Sequence, residues 1–140
     1  MKKTLLSTLF IFFAFIGFSQ YKGNPGKANS LLDKAALKTE LSEIKPLLID
    51  AKGEIDAAIL IEKNRLKADT WLTRGEIYSA IAKGFPEIDP DAIEKAIEAY
   101  DKIGTEVKTK NLTIIQNTTA GRQNLSTFFI NQVLKFIIPQ

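Results

Sequence analysis

Trp71, Gly75 and Tyr78 stand at i, i+4 and i+7 of one stretch, and Ala96 and Tyr100 stand at i and i+4 of the next. On an α-helix the first spacing puts a large ring, a missing side chain and a second ring on one face. A face of that shape admits the close approach of a second helix. Two packed helices are therefore the first thing this chain commits to. The same residues would serve as the core of an ordinary helical bundle, since aromatic and small residues at helical spacing are common there. Either way the fold class is all-α.

This stretch resembles the tetratricopeptide (TPR) repeat, in which W-x2-L-G-x2-Y is followed by A-x3-F within about 34 residues. There are departures. Arg74 stands where the family has Leu, Ile103 follows Tyr100 where a small residue is usual, and no Pro closes the unit. The hairpin loop is also longer than in the family, with the extra length falling in Lys83 to Pro90. A second, partial match is Ala51-x3-Ile55-x2-Ala58, which has the spacing of the repeat's second helix. Its own first helix, within Lys27 to Leu37, carries no such signature. The resemblance implies anti-parallel hairpins of TPR type, forming a short α-solenoid or small bundle that holds another polypeptide. It further implies partner contacts on the groove face of the first helix, at Asp69, Leu72, Glu76 and Ser79; the alternative for these four is a solvated face.

Residues 1–19 read as a secretory signal peptide. Lys2 and Lys3 give a basic start, Leu5 to Phe18 an apolar run, and Gly17 and Ser19 the small residues before a cleavage site. The apolar run is shorter than the roughly 20 residues of a spanning helix, so cleavage near Ser19 is expected over an uncleaved membrane anchor. With no Cys, a lipoprotein anchor and a disulfide framework are both excluded, and the fold rests on its apolar core. The chain has 19 basic and 16 acidic residues; losing Lys2 and Lys3 leaves 19 − 2 = 17 against 16. A nearly neutral surface of interspersed charges offers no footprint for nucleic acid.

Residues 20–26, with two Gly and a Pro, read as a linker, and residues 27–110 as the TPR-like helical domain. Within it, Ile44, Leu48, Ala51, Ile55, Ala58 and Ile59 form the stripe of a half-buried helix. Pro46 is expected near that helix's start, and Gly53 inside it suggests a close helix contact. Gly84, Phe85 and Pro86 break the Trp71 helix. Asp89 is expected to cap the next one, with Pro90 in its first turn and Gly104 at its end.

Residues 111–140 change character, carrying only Arg122 and Lys135 as charges. Leu125, Phe128, Phe129, Val133 and Phe136 form an apolar stripe that Ile130, Leu134 and Ile138 widen to most of the circumference. A helix apolar on most sides calls for burial. The expectations are a bundle end, a self-association surface through those five residues, or an altered or truncated repeat.

With no His and no Cys, the usual zinc sites, imidazole dyads and thiol nucleophiles are excluded. Glu87, Asp89, Asp91 and Glu94 lack the glycine and the spacing of a calcium loop. No glycine-rich phosphate loop occurs, and no cofactor is expected. The sequence therefore points to an exported, non-enzymatic scaffold of the cell envelope, with a self-associating bundle or a carboxylate-dependent enzyme as alternatives.

Overall fold

The computed structural model describes residues 20–138, so the expected signal peptide lies outside the described residues. These residues form six helices and no strand: α1 (Pro25–Ala36), α2 (Leu41–Ile59), α3 (Glu62–Arg65), α4 (Ala68–Gly84), α5 (Ala92–Thr105) and α6 (Leu112–Ile137). The protein is all-α. None of these helices is long and apolar enough to cross a membrane.

Helix α4 is the centre of the molecule. It packs against α1, α2, α5 and α6, and twelve of its seventeen residues are buried. A helix enclosed on several sides needs apolar or small residues around its circumference, which Trp71, Leu72, Gly75, Ile77, Tyr78, Ile81 and Ala82 supply. Helices α1 and α2 pack together across the short turn at 37–40, and α2 turns Leu48, Ala51, Ile55 and Ala58 into the core. Helix α5 packs along α4 and ends where Gly104 takes a φ of 97°, a left-handed conformation that L side chains rarely adopt.

Several sequence expectations are corrected. Residues 20–26 are not a free linker. Asn24 caps α1 by accepting from the Lys27 amide, Pro25 and Gly26 are already helical, and Asn64 donates to the Gly23 carbonyl at 3.1 Å. The close approach at Gly53 is made by the Tyr21 ring, not by a helix. Pro46 lies well inside α2, where it removes the bond its amide would give to the Ser42 carbonyl. Asp89 precedes α5 without capping it: its carboxylate accepts from the Asp91 amide and from Lys95, and α5 starts at Ala92.

The largest departure concerns α6. Residues 111–138 do not form a separate apolar unit, because α6 packs against α4 and α5. Asn111 caps it through the Thr113 and Ile114 amides, Thr118 and Leu125 are buried, and Arg122 pairs with Asp101 of α5. Leu125, at 2% exposure, is core and is not available for self-association. Phe128 is half-buried, while Phe129, Val133 and Phe136 are exposed, Phe136 at 90%.

Candidate functional site

Tyr100 of α5 organises the surface between α4 and α6. Its ring occupies the space that a Cβ would fill at Gly75 of α4 and at Gly121 of α6, where an added Cβ would sit 2.5 Å from the ring. Two glycines on two helices thus form the slot that accepts one aromatic ring. The Tyr100 hydroxyl ends 3.3 Å from Ser79 Oγ, and burial pushes its pKa up, so it remains a neutral hydrogen-bonding group.

Beside this slot lies a cleft of about 480 Å3, walled by Glu76, Ser79 and Lys83 of α4 and by Asn117, Gly121 and Asn124 of α6, with Tyr100 also lining it. Burial, aided by the negative charge of Asp33, pushes the Glu76 carboxyl above the usual range. Glu76 is the only carboxylate among the described residues lining the cleft. A pair of carboxylates flanking a bond is therefore not assembled here. What the cleft presents is carboxamides, hydroxyls, one ammonium group and one carboxyl group.

The four residues expected to meet a partner separate. Glu76 and Ser79 line this cleft together. Leu72, 9% exposed, is part of the core, because helices pack on that side of α4 as well. Asp69 is exposed at the start of α4 and borders a different cleft. Among the repeat-signature residues, Trp71, Gly75, Tyr78, Ala96 and Tyr100 are all buried. Several of them also reach beyond the α4–α5 packing in which Tyr100 meets Gly75. Trp71 donates from Nε1 to the Arg65 carbonyl at 2.8 Å, Tyr78 donates to Asp56 of α2, and Tyr100 reaches α6.

Around Tyr78 the departure at Arg74 gains a partner. Arg74 pairs with Asp56 and lies 4.6 Å from the Tyr78 ring centre. Lys52 bridges Asp56 and Asp89, and Lys95 holds Asp89 at 2.7 Å. Burial and the Asp56 charge push the Tyr78 hydroxyl far above its usual value, which keeps it protonated as a donor. Burial alone would raise the Asp89 carboxyl, but Lys95, the Asp91 amide and Lys52 hold it below the usual range. This network ties α2, α4 and the start of α5 together. Among the described residues no three His, Cys, Asp or Glu side chains converge on a metal position.

Sequence reasoning missed Asn117, Gly121 and Asn124. The signal was present, since Asn117-x3-Gly121-x2-Asn124 repeats the spacing of Trp71-x3-Gly75-x2-Tyr78. Both glycines meet Tyr100. Where α4 carries rings, α6 carries carboxamides, so an aromatic search passes over it. No known family matches the chain, and no curated protein or solved structure is significantly similar to it.

Proposed function

We propose that the protein is an exported, non-enzymatic interaction domain built of TPR-type hairpins, which holds an extended segment of another polypeptide in the cleft between α4 and α6. The observation that carries this reading is the pairing of Asn117 and Asn124 along one wall of the cleft, opposite Glu76 and Ser79. Seven residues of α-helix rise about 10 Å. Three residues of extended chain span about the same distance. Each carboxamide can both donate to and accept from a peptide backbone, so the two can grip main-chain groups three residues apart without reading side chains. Glu76 and Lys83 lie on the facing helix and favour a segment carrying charges of both signs.

Selection from a displayed peptide library, followed by titration of the winners, tests this reading. Binding should weaken about tenfold or more in Asn117→Ala/Asn124→Ala, with the melting temperature unchanged because both side chains are exposed. Selected peptides that bind parent and double variant equally would remove the cleft from the function. A second reading, self-association through the exposed end of α6, is favoured by Phe129, Val133 and Phe136 standing in solvent on one helix.

A further inference from the structure

A second cleft, of about 500 Å3, opens on the side of the molecule where α1 and α4 both begin. Its volume lies within the roughly 300–1,000 Å3 of small-molecule sites. Three lysines border it from three places in the chain: Lys22 ahead of α1, Lys63 in α3 and Lys67 just before α4. None of the three is paired with a carboxylate among the described residues, and Asp69 is the one acid on the lining. Pro25 and Gly26 bring the first turn of α1 to the cleft, and Asp69 and Thr70 bring the first turn of α4. Lys67, the residue that precedes α4, gives it no side-chain cap, so the first amides of α4 have no acceptor from a capping group.

An independent observation is Thr70. Thr70 lines the cleft, the residue is 1% exposed, and its hydroxyl has no hydrogen-bond partner among the described residues. A buried hydroxyl left unpaired in a native structure calls for a missing partner.

We infer that this cleft binds a phosphate group, held by Lys22, Lys63 and Lys67, the open first turn of α4 and the Thr70 hydroxyl. A tetrahedral oxyanion satisfies all three demands at once: it neutralises an excess of ammonium charge, accepts from free helix amides and gives the buried hydroxyl an acceptor. The cleft is larger than a bare phosphate, which leaves room for the alcohol of a monoester.

Amide NMR of the protein at pH 7, titrated separately with inorganic phosphate and with phosphoserine, decides the matter, with sodium chloride at matched ionic strength as the reference. The expected result is saturable shifts at Gly26, Asp69 and Thr70 in one or both phosphate arms and none in chloride. The tighter arm distinguishes a monoester from free phosphate. Lys63→Ala/Lys67→Ala should weaken binding about tenfold, and the single change Lys22→Ala, outside any helix, gives the same direction should the double variant fold poorly. Thr70→Val should weaken binding while keeping the helical spectrum of the parent. Equal shifts in chloride, non-saturating shifts, or an affinity unmoved by loss of the lysines would each overturn the assignment.

Discussion

At the scale of single residues, the contact that most constrains this protein is the Tyr100 ring between Gly75 and Gly121. The ring is buried and rigid, so a methyl group at either glycine has nothing flexible to displace. Gly121→Ala should lower stability by roughly 1–3 kcal/mol through overpacking, measured by chemical denaturation. Gly84, at the end of α4, has nothing among the described residues within 4 Å of an added Cβ. Gly84→Ala should therefore be neutral or stabilise by up to about 1 kcal/mol; an equal loss at both sites would show that steric space is not what decides. Trp71→Ala removes a buried ring and its bond to the Arg65 carbonyl, and a loss of about 3–5 kcal/mol is expected in the same assay. Gly75 and Tyr100 could be singled out from spacing, because helical period and residue size are written in the chain. The polar partners could not. That Arg74 meets Asp56, or that Tyr78 donates to it, depends on how α2 lies on α4, and no local pattern encodes that placement.

Among the elements, the segment from Tyr21 to Lys27 departs most from its appearance in sequence. Glycine and proline suggest a loose strand, yet each has a fitted place. Gly23 has a φ of 70°, and a Cβ there would stand 2.8 Å from the Ala57 carbonyl oxygen. The clasp centres on Glu54, which is fully buried and receives the Lys27 ammonium at 2.6 Å and the Asn24 amide at 3.1 Å. Burial alone would raise its carboxyl, but Lys27 and the Asn24 and Gly23 amides hold it below the usual value of 4.5. A depressed folded value means the contribution is complete above pH 4.5 and is lost as the pH falls through the folded value. Glu54→Gln should cost about 1–3 kcal/mol at pH 7. It should also flatten the acid limb of the stability curve, and an acid limb as steep as the parent's would show that Glu54 is not its source. Glu54 was unreadable beforehand because a lone acid on an apolar face looks like an interruption of the stripe. Its partners lie far away in the chain.

For the molecule as a whole, the decisive asymmetry is between a core closed around α4 and the last turns of α6, which extend past it. The apolar excess of residues 111–140 was visible in composition; which part of it is core was not, since Thr118 and Leu125 are buried only once α6 is laid against α4 and α5. Because Phe129 and Phe136 are exposed, Phe129→Glu/Phe136→Glu should leave the melting temperature within a few degrees of the parent's. In sedimentation velocity the parent should form dimers or larger species and the variant should run as a monomer. A monodisperse parent would refute the self-association reading, and a variant that unfolds would show that these rings belong to the core.

Trp71 is the one tryptophan of the chain, enclosed in the core with its indole N–H committed to Arg65 and the Lys102 ammonium 5.8 Å from its ring. It also neighbours Thr70 in sequence and sits at the junction of α3 and α4. Its fluorescence is therefore a built-in optical probe with one emitter and one environment. The emission maximum should be blue-shifted in the native state and move to the red in a single step as the helices separate, so unfolding of this core can be followed without attaching a dye.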